Sequence, residues 1–212
     1  MDGLAIDTKT GLAYRVGSND LAIIREMRRA YGKLRMGPGS VVLDVGACFG
    51  SFTSVALNSG AKVVAYEPLL DNFNLLWQNC PGAECRNAAL IVGDAREVEL
   101  YWTGRENYWT MHSTAMTRRK FHATVPAEDF HNVLAEVRPD VIKMDIEGGE
   151  YELLAEPLPG WVRQLALEMH TVSNRVGVKR ELAAHLAAQF STTVVAPRVD
   201  TGAWNLVGVY SR

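Results

Sequence analysis

Asp44, Gly46 and Gly50 stand in the first run of this 212-residue chain whose spacing can do chemistry, Val42-Leu43-Asp44-Val45-Gly46-Ala47-Cys48-Phe49-Gly50-Ser51-Phe52-Thr53. The run reads as a buried strand, a glycine turn and a helix start, which brings backbone N–H groups close to a nucleotide-like ligand. A dinucleotide fingerprint starting at Gly46 requires glycines where this chain has Cys48 and Ser51. Asp44 at the strand end would repel a pyrophosphate and suit a cation. S-adenosylmethionine carries a sulfonium and an ammonium and no phosphate, so the spacing favours a methyl donor over NAD. Gly46, Ala47, Gly50, Phe52 and Thr53 are the expected contacts in this turn. Glu67, at the end of the next strand and followed by Pro68, is placed to accept hydrogen bonds from both ribose hydroxyls. Asn87, beside Ala88, is placed by position alone to reach an adenine edge.

The second chemical run is Val141-Ile142-Lys143-Met144-Asp145-Ile146-Glu147-Gly148-Gly149-Glu150. Read as one strand from Val141 to Ile146, alternation puts Lys143, Asp145 and Glu147 on one side. Charges in an otherwise apolar central strand are costly unless they stand at its open end and act there. Gln164 to His170 reads as the neighbouring strand, with Glu168 and His170 again on one face. Ligands of open α/β sheets bind beyond the carboxyl ends of the strands, so Asp44, Glu67, Asp145, Glu147, Glu168 and His170 are expected to converge on one crevice.

The elements that must position these residues alternate as an α/β chain does. Residues 1–36 read as a small hairpin followed by a helix over Leu21–Tyr31, capped by Ser18, Asn19 or Asp20. Gly37-Pro38-Gly39 leads into the first parallel strand. A strand over Ala61–Pro68, a helix over Asp71–Cys80 and a strand over Glu84–Leu90 follow, and then a strand over Glu97–Trp102. Residues 103–122, rich in aromatic and basic side chains, give no regular pattern; a lid over the acceptor, a nucleic-acid contact and an irregular excursion remain open readings. Thr124–Val137 reads as strand then helix, and Lys179–Phe190 as an alanine-rich helix. Thr192–Pro197 and Trp204–Tyr210 read as a C-terminal β-hairpin finishing a seven-stranded sheet.

Composition narrows the classes. The length suits a single domain over residues 1–212, and a net charge of −2 supplies no global attraction to nucleic acid or anionic membrane. No apolar run has the length of a membrane span and no signal-peptide pattern opens the chain, so the expected location is cytoplasmic. Cys48, Cys80 and Cys85 form neither a disulfide framework nor a zinc pattern. A homodimer is left open.

Taken together, the two runs resemble the FkbM family of S-adenosylmethionine-dependent methyltransferases, with further matches at Tyr66-Glu67-Pro68, Asn87-Ala88-Ala89-Leu90 and Glu168-Met169-His170. The resemblance covers residues 18 to 170. It departs at Cys48, where the family usually has asparagine, and over 103–122. It implies an α/β class I methyltransferase (Rossmann-like) fold, a seven-stranded mostly parallel sheet with helices on both faces and an antiparallel final strand. It also implies O-methylation of a hydroxyl on a small sugar or natural-product acceptor. Such a reaction needs a base; Glu147 and His170 are the candidates, with Asp145 nearer the methionine end of the donor and Glu168 orienting His170 or the acceptor. A divalent metal held by Asp145, Glu147, Glu168 and His170 is the less favoured alternative. A nucleic-acid methyltransferase and a cofactor-binding module without turnover are the competing functions.

Overall fold

The computed structural model describes residues 3–102, 112–113, 120–170, 176–200 and 203–212. The chain opens with a hairpin, β1 (Leu4–Ile6) and β2 (Ala13–Arg15), then α1 (Asp20–Tyr31). The Rossmann-like part begins with β3 (Val41–Val45), α2 (Ser51–Asn58), β4 (Lys62–Tyr66), α3 (Leu70–Asn79) and β5 (Glu84–Arg86). Next come β6 (Ala89–Ile91), β7 (Glu97–Trp102), β8 (His112–Ser113), β9 (Lys120–Asp129) and α4 (Phe130–Val137). The chain closes with β10 (Val141–Met144), α5 (Glu150–Leu153), β11 (Gln164–Met169), α6 (Val176–Gln189), β12 (Thr192–Asp200) and β13 (Ala203–Ser211).

The main sheet is mixed and has the strand order β12-β13-β11-β10-β3-β4-β5. Strands β5, β4, β3, β10 and β11 are parallel neighbours, while β13 runs antiparallel to both β11 and β12. Strand order reverses between β3 and β10, which opens a crevice at their carboxyl ends.

Alternation along each strand feeds two cores. Leu43, Val45, Ile142, Met144, Leu165 and Leu167 pack with residues of α4, α5 and α6 on one face. Val42, Val63, Ala65, Val141 and Ala166 pack with Tyr31, Phe52, Ala56 and Leu76 of α1, α2 and α3 on the other. Strands apolar on both sides are what a helix-covered parallel sheet requires.

Three sequence expectations are corrected here. The segment expected as one strand over Glu84–Leu90 is two: β5 ends at Arg86, and β6 leaves for a separate four-stranded sheet of order β6-β9-β7-β8. The strand expected to reach Ile146 stops at Met144, because Asp145 and the Gly46 turn close on each other and Glu147 takes a left-handed φ of 56°. Of the expected caps on α1, Ser18 Oγ accepts from Asp20 N at 3.1 Å, but Asn19 occupies the cap position without a side-chain capping bond, and Asp20 is buried against Arg15, whose Nε lies 2.8 Å from its Oδ2. Most of the 103–122 segment lies outside the described residues; what is described there belongs to β8 and the start of β9. Among the described residues, no helix is long and apolar enough to cross a membrane.

The N-terminal hairpin is bound to the glycine turn. The Asn79 side chain accepts from Ala13 N (2.8 Å) and donates to Ala13 O (3.0 Å) and Phe49 O (2.8 Å). Leu12, Ala13, Ile24, Phe49 and Leu75 form a small core around this junction.

Candidate active site

Two glycines shape the turn after β3. At Gly46, φ is +76° and a β-carbon would lie 2.1 Å from the Asp145 carbonyl oxygen. At Gly50, φ is +90° and a β-carbon would meet Cys80 Sγ at 2.7 Å. Cys48 between them is also left-handed, with φ of 52°. That is a backbone asparagine adopts more readily than most residues, so the departure noted in the sequence falls on a conformationally selective position.

Asp44 differs from its sequence reading. It is fully buried, and its Oδ2 accepts from Thr53 Oγ1 at 2.6 Å while Oδ1 lies 3.2 Å from Lys143 Nζ. Lys143 also donates to Gly46 O at 2.6 Å. The Asp44 charge is thus balanced inside the protein, and its work is to fix the turn. Thr53 is spent on Asp44, Ala47 is buried, and Phe52 is packed edge-on against Tyr31 with ring centroids 5.3 Å apart. All three side chains are committed inside the protein, and Ala47 N donates to Tyr66 O at 2.9 Å. Lys143, which sequence reasoning placed on the charged side of its strand without a role, joins the two chemical runs.

Glu67 stands at the end of β4 and is buried. Its Oε2 accepts from Cys48 N (2.8 Å), and its Oε1 from Leu69 N (2.9 Å) and Asn72 Nδ2 (3.4 Å). Burial raises its pKa, and the bonds from Leu69, Cys48 and Asn72 pull against that. Asn87 donates to Glu67 O (2.8 Å) and Pro68 O (3.0 Å), so its amide hydrogens hold the loop and are not available to an adenine ring. Ala88 is buried in the core. Along the strand ends, Gly46, Cys48, Pro68, Asn87, Asp145 and Glu147 remain partly exposed.

At the crevice, β10, β11 and the start of α5 bring four carboxylates around one imidazole. His170 Nε2 lies 3.5 Å from Asp145 Oδ1, 3.5 Å from Glu147 Oε2 and 3.6 Å from Glu168 Oε1, and Nδ1 lies 3.4 Å from Glu150 Oε1. All four expected catalytic residues therefore converge. Glu150 was missed: in the sequence it shows only as a first-turn acid, yet it is fully buried and accepts from Gly148 N (2.7 Å) and His170 N (2.6 Å). Tyr151 fastens the same corner by donating to His170 O at 2.6 Å.

Electrostatics divides the roles. Burial pushes Glu147 up to about 7; His170 opposes this, while Asp145, Glu168 and Glu150 add to it. Burial opposes the charge on His170, but Glu147, Glu150 and Asp145 outweigh it and lift the imidazole to about 10. His170 is therefore an imidazolium at neutral pH in the metal-free protein and cannot accept a proton there. Glu147, 17% exposed, can.

The description "Methyltransferase FkbM domain" belongs to the family model that matches residues 44–187. Among solved structures, P. horikoshii TYW2 in complex with MeSAdo is 15% identical with a TM-score of 0.53, covering 99% of this chain and 72% of that one. A putative transferase from Pyrococcus horikoshii is 14% identical with a TM-score of 0.55, covering 100% and 74%. Precorrin-6y C5,15-methyltransferase from Geobacter metallireducens GS-15 is 13% identical with a TM-score of 0.51, covering 100% and 94%. At these identities the likeness is one of fold, that of class I methyltransferases. No curated protein sequence matches the chain.

Proposed function

The chain belongs to the FkbM methyltransferase domain family, and on that premise we propose that it moves the methyl group of S-adenosylmethionine to a hydroxyl oxygen of a small sugar-like or natural-product acceptor. The donor's place is the rim formed by the Gly46 turn, Pro68 and Asn87. Glu67 is the residue for the ribose hydroxyls: each carboxylate oxygen has two lone-pair sites, so its bonds to Cys48 and Leu69 leave acceptor capacity. Asp145, one residue beyond β10 and against Gly46, is the acid nearest the methionine end.

The single observation that carries this reading is the placement of Glu147. It holds a strained left-handed φ of 56° beyond the end of β10 and presents its carboxylate beside His170 at the crevice. In the reaction, Glu147 takes the hydroxyl proton as the acceptor oxygen forms its bond to the methyl carbon. The methyl–sulfur bond pair returns to sulfur, leaving S-adenosylhomocysteine. His170 and Glu150 hold Glu147, Asp145 and Glu168 in position.

The test incubates the protein with methyl-labelled S-adenosylmethionine and a panel of sugars, hydroxylated natural products, RNA and DNA. Label on an oxygen of a small molecule, with turnover reduced about 100-fold or more by Glu147→Gln and S-adenosylhomocysteine binding kept, is the expected result. Label on nucleic acid, or on nitrogen or carbon, would overturn it. Donor binding without transfer to any acceptor would favour the non-catalytic module.

A further inference from the structure

We propose that Asp145, Glu168 and His170 bind one divalent cation at the methyl-transfer crevice. The inference rests on the reading above for its purpose, but binding can be tested without turnover. One ligand atom from each of the three residues lies within 4.8 Å of the other two. The residues come from the ends of adjacent parallel strands, so the sheet itself holds them in register: β10 supports Asp145, and β11 carries Glu168 and supports His170.

Spacing is the first argument. Charge-assisted N–H···O bonds are about 2.7–2.9 Å long. His170 Nε2 instead stands 3.5 Å from Asp145 Oδ1 and 3.6 Å from Glu168 Oε1. Two ligand atoms about 2.0–2.2 Å from a common ion are roughly 3.3–3.6 Å apart at tetrahedral angles and roughly 2.8–3.1 Å apart at octahedral ones. The observed separations match ligands around an ion better than they match an ion pair.

The second argument is the setting of the imidazole. The His170 side chain is 7% exposed, and its two ring nitrogens face different carboxylates, Nδ1 toward Glu150 and Nε2 toward Asp145 and Glu168. The nearest carboxylate to Nδ1 is Glu150 at 3.4 Å, and that side chain is fixed by Gly148 N and His170 N. This backing turns Nε2 toward Asp145 and Glu168, as a carboxylate behind a metal-bound histidine does.

Charge is the third. Asp145, Glu147, Glu150 and Glu168 stand 3.4–3.6 Å from the ring nitrogens of one imidazole, and a dication is the counter-charge that such a concentration of carboxylates suits. One imidazole among carboxylates suits manganese, iron or zinc better than calcium. Glu147 stays outside the ligand set as the proton acceptor, and an ion in contact with the acceptor hydroxyl would acidify it.

The experiment titrates Mn2+ into chelator-treated protein, followed by electron paramagnetic resonance and calorimetry, for the wild type, Asp145→Asn and Glu168→Gln. S-adenosylhomocysteine binding is measured in parallel. One Mn2+ per chain, weakened about tenfold or more in either variant whose folding is verified by thermal melting, supports the site. No Mn2+ uptake by wild type that binds S-adenosylhomocysteine overturns it, as does equal uptake by all three proteins, which means an adventitious ion only. Mn2+ uptake lost in the variants by a wild type that ignores S-adenosylhomocysteine supports the cation site and overturns the methyl-donor reading instead. Asp145 is 27% exposed, so its variant reports even if the more buried Glu168→Gln fails to fold.

Discussion

Lys143 Nζ and Asp44 Oδ1 are 3.2 Å apart, with side chains only 5% and 0% exposed, and together they lock the first chemical run to the second. Lys143 also reaches the Gly46 carbonyl, so this one ammonium neutralises the buried acid and holds the turn. Removing either partner leaves a charge stranded in the core.

Lys143→Met is therefore expected to destabilise the fold by about 3–5 kcal/mol in urea denaturation, the scale for breaking one side of a buried pair. Pairing it with Asp44→Asn should recover much of the loss. Equal destabilisation by the single and double variants would show that the two side chains do not act as a pair.

Gly46→Ala tests the closeness of the two runs. The new β-carbon would stand 2.1 Å from the Asp145 carbonyl at a φ of +76°, so backbone must move. A loss on the order of 2–3 kcal/mol is expected, together with weaker S-adenosylhomocysteine binding. Calorimetry and thermal melting check both, and a variant indistinguishable from wild type would remove the argument for this glycine.

Glu67→Gln addresses the ribose contact. One amide oxygen can still serve a backbone N–H, so the loop should survive, while donor affinity falls about 10- to 100-fold, the worth of one or two charge-assisted hydrogen bonds. Unchanged affinity for S-adenosylhomocysteine would exclude Glu67 from donor recognition.

The charged cluster predicts an unusual pH dependence in metal-free protein. Glu147 is raised from 4.5 to about 7 and His170 from 6.5 to about 10, so the folded state holds more protons than the unfolded state across both intervals. Their contribution to stability is then complete at low pH and declines as pH rises, through about 7 for Glu147 and through about 10 for His170. Melting temperature measured between pH 6.5 and 10 should fall more steeply in wild type than in His170→Gln. Equal slopes would contradict the raised imidazole.

Much of the scaffold was readable because its strands are apolar on both faces and end in Asp-x-Gly or in acids that have no place in a core. That continuous apolar pattern therefore located Val41–Val45, Lys62–Tyr66 and Val141–Met144 closely. It did not reveal that Asp145, Ile146 and Glu147 leave the strand, since a left-handed residue other than glycine has no local signature. The convergence of Asp145, Glu147, Glu168 and His170 followed from sheet topology. The partners of Asp44 and Asn87 did not, because a side chain's position on a strand does not say which neighbour it bonds. Glu150 was hidden for the same reason: its burial depends on the return of β11 to the same corner. The second sheet was missed because β6 follows β5 after only two residues, and propensity does not mark which sheet a short strand joins.

The Asn79 side chain, which clasps Ala13 and Phe49 at once, has a practical consequence for anyone choosing where to start a shortened chain. The family match begins at residue 44, inside β3, and a boundary drawn there would cut a central strand in two. Even a start just ahead of β3 would strip away the hairpin that braces the glycine turn. Leu4 and Ile6 are more than half exposed, so purification tags belong before them and deletions do not.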